Sequence, residues 1–162
     1  MLPKIRNPIK DYGISPISPR PISPRPISSY PEYLLQFDGC SKGNPGLSGA
    51  GAIIFNYGKE IWGGSNFVGD KNTNNEAEYQ GLILGLEKAV NFDIKNLSVE
   101  GDSLLIIKQM NGQFNVRSES LRKLYNIAKE LEKKFETVTY THIYRNSNKK
   151  ADELANLSLP II

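Results

Sequence analysis

Two stretches, Tyr33-Leu-Leu-Gln-Phe-Asp-Gly39 and Leu97-Ser-Val-Glu-Gly-Asp102, decide how this chain folds. Each begins with a short run that has an apolar centre, Tyr33–Phe37 and Leu97–Glu100, and each run is followed by an aspartate, which is typical of a buried strand reaching a turn. A segment of helical spacing between them provides the crossover that two parallel strands require. We therefore predict that the two strands lie side by side, with Asp38 and Asp102 at the same edge of a sheet.

Working outward, the remaining segments complete a mixed sheet with helices. Three further strands are predicted from their glycine, apolar and β-branched content, at Gly49–Tyr57, Glu60–Val68 and Thr137–Tyr144. Four helices are predicted from amphipathic spacing, at Asn74–Asn91, Ser103–Met110, Ser118–Phe135 and Lys149–Ser158. The order βββαβααβα predicts an α/β fold with a five-stranded mixed sheet and helices on both faces.

The first 32 residues differ in kind from the rest. Ile17-Ser-Pro-Arg-Pro21 is repeated at once as Ile22-Ser-Pro-Arg-Pro26. Alternating prolines remove backbone donors and fix φ, so we predict a disordered tail with polyproline II character. The predicted organisation is a tail over residues 1–32, one globular domain over residues 33–159 and a C-terminal end over residues 160–162.

The role of this tail stays open between two interpretations. It is either a solvated leader without a partner, the favoured interpretation for a low-complexity tract, or a docking arm. As a docking arm it would place Arg20 and Arg25 on phosphates, or Arg20-Pro-x-x-Pro24 in an aromatic-lined groove. The identity of the tail's partner is unknown from the sequence.

Charge and composition exclude several classes of protein. The formal net charge of the 162 residues is +3, and all of it lies in the tail, so the globular part is not a broadly basic nucleic-acid binder. A single cysteine excludes an intramolecular disulfide. No apolar run is long enough to span a membrane, and the N-terminus lacks the apolar core of a secretory signal. We expect an intracellular monomer, cytoplasmic or nuclear, without a membrane partner.

Four acidic residues stand out by position. Two carboxylates as close as Asp38 and Asp102 repel each other, and one would take up a proton unless a cation neutralises both. Glu78 is the single charged residue on the apolar stripe of its helix, whereas Glu76 lies on the opposite, wettable side. Asp152 borders the apolar stripe of the last helix. Each acid taken alone is most simply a surface or cap residue, but the four together predict a metal site.

Four segments around these acids carry motifs in a recognisable order and spacing. They are Asp38-Gly-Cys-Ser-Lys-Gly-Asn-Pro-Gly46, Thr73-Asn-Asn-Glu-Ala-Glu-Tyr79, Val99-Glu-Gly-Asp-Ser103 and Asn148-Lys-Lys-Ala-Asp-Glu-Leu-Ala155. Together they resemble the type 1 ribonuclease H family over residues 33–159. The brief connection at residues 111–118 lacks a basic helical protrusion, so the chain is more similar to the compact archaeal and plant-type branch of a ribonuclease H-like fold.

This resemblance implies an endonuclease that hydrolyses the RNA strand of RNA–DNA hybrids and leaves 5′-phosphate and 3′-hydroxyl ends. It implies two Mg²⁺ ions, with Mn²⁺ as a substitute, where one ion generates hydroxide and the other stabilises the leaving oxygen. The implied catalytic residues and metal ligands are Asp38, Glu78, Asp102 and Asp152. The implied substrate contacts are Gly43 and Asn44 on the RNA strand, and Thr73, Asn74 and Asn75 on the DNA strand.

Other residues depart from the family or have a simpler explanation. The family's mobile histidine after strand five has no counterpart, and Arg145 is the nearest candidate for its role in product release. The only histidine, His142, falls inside a predicted strand and is interpreted as structural. Asn74 and Asn75 are equally well explained as helix caps. Trp62, Tyr125, Tyr140 and Tyr144 are predicted to be core or strand-face residues.

Three alternative functions remain open at this stage. The chain is alternatively a non-catalytic nucleic-acid-binding module on the same fold, although such a module has no need of clustered acids. A second alternative is a nuclease that also acts on double-stranded RNA. The third is a domain excised from a reverse transcriptase-like polyprotein, against which Met1 and the self-contained tail favour a standalone protein.

Overall fold

The computed structural model describes residues 29–161, so most of the predicted tail lies outside the described residues. Within them the elements follow the predicted order. They are β1 Tyr33–Lys42, β2 Gly46–Asn56, β3 Lys59–Asn72, α1 Asn74–Asn91, β4 Asn96–Gly101, α2 Leu104–Met110, α3 Glu119–Glu132, β5 Thr137–His142 and α4 Lys149–Leu157. A 3-10 turn at Arg145–Ser147 precedes α4. Among the described residues, no helix has the length and apolar character needed to cross a membrane.

The five strands form one mixed sheet in the order β3-β2-β1-β4-β5. The β1–β2 and β2–β3 pairs are antiparallel, whereas β4 is parallel to both β1 and β5. The last parallel pair between β1 and β4 joins Phe37 to Gly101. Asp38 and Asp102 each follow this pair directly, so the predicted parallel neighbourhood of the two strands is confirmed.

Strand β1 does not end at Asp38, and the predicted turn at Asp38-Gly39 was wrong. Residues 38–42 remain paired with residues 47–51 of β2, although the parallel ladder with β4 stops at Phe37. The turn comes later, where Gly43 has a φ of 100°. Gly39 instead permits close packing, because a Cβ atom there would lie 2.2 Å from the carbonyl carbon of Ala77 in α1.

The two faces of the sheet are covered differently, which confirms helices on both sides. On one face, apolar residues of β1, β2 and β4 form the main core with α1, α2 and α3, including Leu35, Phe37, Leu82, Leu86 and Ile106. On the other face α4 lies close to the backbone of β2. A Cβ atom on Gly51 would come within 2.4 Å of the amide nitrogen of Ala155, so this contact requires glycine.

Helix ends are set by side-chain caps, and some predicted bounds shift accordingly. Ser103 and Ser118 lie just outside α2 and α3, where their hydroxyls accept backbone N–H groups of the first turn. Strand β5 ends at His142, two residues before the predicted end. Tyr144 is consequently 76% exposed rather than on a strand face, while Tyr140 is buried as predicted.

Candidate active site

Three carboxylates meet where β1, α1 and the end of β4 come together. One oxygen from each of Asp38, Glu78 and Asp102 lies within 4.8 Å of the others. Asp38 is 5% exposed and Glu78 is 9% exposed, so this cluster is largely removed from solvent. The structure thus brings together three of the four acids that the sequence singled out.

Close backbone packing places Glu78 beside Asp38. Helix α1 lies directly on β1 because Gly39 and Gly81 leave no side chain between them. A Cβ atom on Gly81 would lie 2.4 Å from the carbonyl oxygen of Asp38. The amide of Gly39 also donates a hydrogen bond of 2.9 Å to Oδ1 of Asp38, which fixes the orientation of that carboxylate.

The cluster is electrostatically strained in the absence of a cation. Burial, and then the charge of Asp102, raises the pKa of Asp38 to about 7. Burial and the neighbouring Asp38 carboxylate raise the pKa of Glu78 well above its usual range. The Oε1 atom of Glu78 is buried and has no hydrogen-bond partner. Such an arrangement is costly unless a positive charge lies among the oxygens.

These donors fit a divalent cation. All are carboxylate oxygens, which hard ions such as Mg²⁺ and Mn²⁺ prefer. One oxygen of Glu78 lies within 4.8 Å of an oxygen of each of the two other carboxylates, and Oε1 of Glu78 has no protein donor to satisfy it. A metal ligand role accounts for a buried charged group that the protein leaves unpaired.

Asp152 approaches the cluster from the opposite face of the sheet. It lies in the first turn of α4, is half-buried, and falls outside the set of three oxygens within 4.8 Å. Its carboxylate nevertheless acts to raise the pKa of both Asp38 and Asp102. The four predicted acids are therefore three tightly grouped carboxylates and a fourth beside them.

The residues predicted to contact the RNA and DNA strands of the substrate lie around the N-terminus of α1. Gly43 and Asn44 are exposed in the turn after β1. Oδ1 of Asn44 accepts a hydrogen bond of 3.0 Å from the backbone amide of Asn74. Asn44, which is predicted to contact the RNA strand, is thus hydrogen-bonded to Asn74, which is predicted to contact the DNA strand. Asn75 is half-buried.

Thr73, rather than Asn74 or Asn75, caps α1. Its hydroxyl accepts a 3.2 Å hydrogen bond from the amide of Glu76, and its own amide donates to Oε1 of Glu76 at 2.9 Å. This reciprocal capping box, chiefly through the Thr73 amide, lowers the pKa of Glu76. Glu76 is thus outside the buried stripe, as predicted, and its carboxylate is bonded to the helix end.

Two cationic or ionisable side chains flank Asp102. Arg145 is exposed and lines an open groove with Asn146, Lys149, Asp152 and Glu153. The ring of His142 lies edge-on to that of Tyr144, with a centroid distance of 5.4 Å. The charges of both Arg145 and His142 act to lower the pKa of Asp102, which partial burial raises. His142 is the last residue of β5, inside a strand as predicted, and it pairs with Gly101, the residue before Asp102.

Sequence reasoning missed two buried polar groups beside the acids. Asn148 is fully buried, and its amide Nδ2 donates a 2.9 Å hydrogen bond to the carbonyl of Phe37. Gln36 donates a 2.9 Å hydrogen bond to Glu100 on the neighbouring strand. Asn148 opens the fourth sequence motif, which was the available signal. The Gln36–Glu100 contact follows only from the register of β1 and β4.

Comparison with known proteins agrees with this geometry. The family described as reverse transcriptase-like matches residues 36–158. The ribonuclease H of Pseudomonas fluorescens is 33% identical over 136 residues, which cover 74% of this chain and 84% of that protein. The chain belongs to the ribonuclease H family. The ribonuclease HI of Halobacterium salinarum is 38% identical over 124 residues, or 76% of this chain.

Solved structures of the ribonuclease H family share the fold. The N-terminal RNase H domain of a Mycobacterium tuberculosis protein superimposes with a TM-score of 0.75 at 37% identity, covering 78% of this chain and 91% of that one. LC11-RNase H1, solved in complex with an RNA/DNA hybrid, gives a TM-score of 0.74 at 30% identity, covering 78% and 96%. The ribonuclease H-like fold predicted from the motifs is confirmed.

The matched region is only part of some of these ribonuclease H relatives. The chain spans 62% of the length of the Halobacterium protein. It spans 34% of a bifunctional protein of Mycobacterium tuberculosis, to which it is 38% identical over 125 residues.

Proposed function

We propose that this chain is an endonuclease that hydrolyses the RNA strand of RNA–DNA hybrids. The observation that carries the proposal is the buried cluster of Asp38, Glu78 and Asp102, with an oxygen of Glu78 left unpartnered. Membership of the ribonuclease H family supports the reaction class. The solved complex of LC11-RNase H1 with an RNA/DNA hybrid supports the substrate class.

We further propose that Asp38, Glu78, Asp102 and Asp152 are the catalytic residues and hold two Mg²⁺ ions, with Mn²⁺ able to substitute. A divalent cation bound there supplies Lewis-acid chemistry: it activates water and neutralises charge on the phosphodiester and on the leaving oxygen. The carboxylates themselves provide the negative field that concentrates cations at this edge of the sheet. The close packing of α1 on β1 at Gly39 and Gly81 holds the backbone of Glu78 next to that of Asp38.

Substrate recognition in this proposal uses the surface around the N-terminus of α1. Gly43 and Asn44 face the RNA strand, where an amide and a backbone group can test for the 2′-hydroxyl. Thr73, Asn74 and Asn75 hold the DNA strand through hydroxyl and amide contacts to phosphate oxygens. The hydrogen bond between Asn44 and Asn74 would keep the two contact regions at a constant separation.

Arg145 is proposed to assist product release. Its guanidinium lines the open groove that Asp152 also lines. Burial raises the pKa of Asp102, and the charge of Arg145 acts to lower it. A permanently charged side chain at this place can attract the 5′-phosphate produced by cleavage away from the carboxylates. The proposed products carry 5′-phosphate and 3′-hydroxyl ends.

A cleavage assay with four nucleic acids tests the proposal. Labelled RNA–DNA hybrid, double-stranded RNA, double-stranded DNA and single-stranded RNA are incubated with Mg²⁺ or Mn²⁺ and with wild type, Asp102→Asn or Asp93→Asn. Asp93 is the matched control because its side chain is exposed and forms a salt bridge with Lys95. We expect wild type and Asp93→Asn to cut the hybrid alone, and Asp102→Asn to be inactive.

Each other result of the assay has a defined meaning. If the wild type binds the hybrid but does not cleave it, the protein is a nucleic-acid-binding module and not an enzyme. Cleavage of double-stranded RNA as well as hybrid would broaden the substrate class. Cleavage that survives in Asp102→Asn would remove the carboxylate cluster from the mechanism.

A further inference from the structure

Asn148 links distant parts of the chain at the point where the acids converge. Its side chain is 0% exposed, and Nδ2 donates a 2.9 Å hydrogen bond to the carbonyl oxygen of Phe37, the residue that immediately precedes Asp38. Its backbone carbonyl accepts a 3.1 Å hydrogen bond from the amide of Asp152. One residue is thus bonded to the segment that carries Asp38 and to the turn of helix that carries Asp152.

The same side chain also acts on the third of these acids. Partial burial raises the pKa of Asp102, and the Asn148 side chain acts to lower it. A side-chain amide has two N–H groups on one nitrogen, so Nδ2 can serve the Phe37 carbonyl and the Asp102 carboxylate together. Asn148 is thus hydrogen-bonded to the residue before Asp38 and to Asp152 itself, and it acts on the pKa of Asp102.

This use of Asn148 differs from ordinary helix capping. It occupies the N-cap position of α4, yet its side chain makes no capping hydrogen bond to that helix. The caps of α1, α2 and α3 all accept a backbone N–H through their side chains. Asn148 instead points its amide at β1 and leaves Oδ1 buried without a partner. The fold tolerates an unsatisfied oxygen in order to hold this contact.

We propose that Asn148 is a positioning residue that sets the spacing between Asp38, Asp102 and Asp152, and thereby the affinity of the site for divalent cations. It acts through these carboxylates and contacts no reacting atom. The inference rests on the proposed function, because it assigns a role within the same site. Replacing groups that orient metal ligands typically weakens metal binding or activity by about 10- to 100-fold.

The test separates positioning from general stability by measuring cation affinity without substrate. Mn²⁺ binding is measured by calorimetry on wild type, Asn148→Ala and Leu121→Ala, with thermal unfolding recorded for each. Leu121 is the matched control because it is buried in α3 within the main core, away from the acids. We expect Asn148→Ala to raise the Kd for Mn²⁺ at least tenfold and Leu121→Ala to leave it within twofold, although both lower the Tm.

Kinetics and a second variant complete the experiment. On hybrid substrate, Asn148→Ala should lower kcat at least tenfold with KM changed less than threefold, and added Mn²⁺ should restore part of the loss. Asn148→Ser keeps a single hydroxyl donor and should fall between wild type and alanine. Should neither variant fold, the wild type is titrated with Mg²⁺ and its side-chain amide resonances are followed by NMR. The Asn148 signal should then shift while that of the exposed Asn126 stays unchanged.

The outcomes distinguish the inference from the function on which it rests. An Asn148→Ala protein that loses Tm but binds Mn²⁺ with the affinity of the wild type would show Asn148 to be merely structural. An Asn148 amide resonance insensitive to Mg²⁺ would show the same. A wild type that binds neither cation, and cuts no hybrid, would instead overturn the proposed function itself.

Discussion

Two buried polar pairs lie on the same two strands and have opposite electrostatic character. Gln36 of β1 stands directly opposite Glu100 of β4, and a 2.9 Å hydrogen bond from the amide joins them. Two residues further along each chain segment come Asp38 and Asp102, two carboxylates that repel each other. Burial and this repulsion raise the pKa of Asp38 to about 7.

The difference shows that the fold has a simple way to satisfy a carboxylate at this position. One glutamine opposite one glutamate gives a hydrogen-bonded pair on the same strands. A third acid, Glu78, with one oxygen left without a partner is therefore not a requirement of the architecture. Asp38, Glu78 and Asp102 instead form a cluster of repelling carboxylates with a spacing that suits a cation. Functional sites are where chains carry such local instability.

The largest expected effect comes from replacing one carboxylate of the cluster with an amide like that of Gln36. Glu78→Gln removes a charge but keeps the shape, and it should reduce hybrid cleavage by about 10³-fold or more, because a ligand of the proposed metal site is lost. Initial rates at saturating Mg²⁺ measure the effect. Glu87→Gln on the exposed side of α1 is the control and should retain full activity. Comparable rates for both variants would remove Glu78 from the site.

Replacing the amide of Gln36 with a carboxylate should lower the stability of the protein and leave its activity less affected. Gln36→Glu places a second carboxylate against buried Glu100, and we expect the free energy of unfolding at pH 7.5 to fall by about 4 kcal/mol. Urea titration measures this loss, with the exposed Gln113→Glu as the control. The loss should shrink near pH 4, where a protonated carboxyl can donate the missing hydrogen bond. An unchanged stability would mean that the position of Gln36 tolerates a second carboxylate, as the Asp38–Asp102 pair does.

A smaller effect is the pH dependence of stability without metal. The folded-state pKa of Asp38, about 7, lies above the ordinary value of 3.8, so the folded state binds the proton more tightly than the unfolded state. Stability in EDTA should therefore decline as pH rises from 4 to 7, by on the order of 3 kcal/mol relative to Asp38→Asn. The raised pKa of Glu78 has the same sign.

Unfolding curves for wild type and Asp38→Asn in EDTA, taken at several pH values, measure this difference. Saturating Mg²⁺ should abolish most of it, because a bound cation stabilises the ionised carboxylates. Parallel pH profiles for the two proteins would show that the acids impose no cost on the fold.

The smallest expected effect concerns the hydroxyl of Thr73, which is hydrogen-bonded to the first turn of α1. Thr73→Ala removes the capping box of α1 and should lower the free energy of unfolding by about 1 kcal/mol, without any nucleic acid present. Thr73→Ser keeps the hydroxyl and should stay within about 0.5 kcal/mol of the wild type. If Thr73→Ala weakens hybrid binding while Thr73→Ser does not, the hydroxyl also serves the DNA strand as proposed.

Much of the fold was accessible because its signals are local. Helix α1 was predicted with its observed bounds. Apolar residues at helical spacing indicate the helix, and the polar residues before them mark its start. The order of elements and the parallel pairing of β1 with β4 followed from connection lengths and handedness. The end of β1 was mispredicted because Asp38-Gly39 carries a turn signal, whereas the glycine is required there by the closeness of α1.

For the site, the sequence by itself predicted which acids come together. Glu78 was separable from Glu76 because a helix has a fixed periodicity, so one glutamate must lie on the apolar stripe and the other must not. Asp38 and Asp102 were separable from other aspartates because each follows a buried strand. These inferences need no coordinates, since they depend only on local geometry and the cost of burying charge.

Only the tertiary structure decided how those acids are held. The three-carboxylate cluster with Asp152 beside it, the hydrogen bond from Asn148 to the carbonyl of Phe37, and the Gln36–Glu100 pair all join residues far apart in the chain. Side-chain contacts across 64 or 111 residues depend on strand register and on the distance at which helices pack. Neither quantity is encoded in a local pattern, because both are set by the whole core at once.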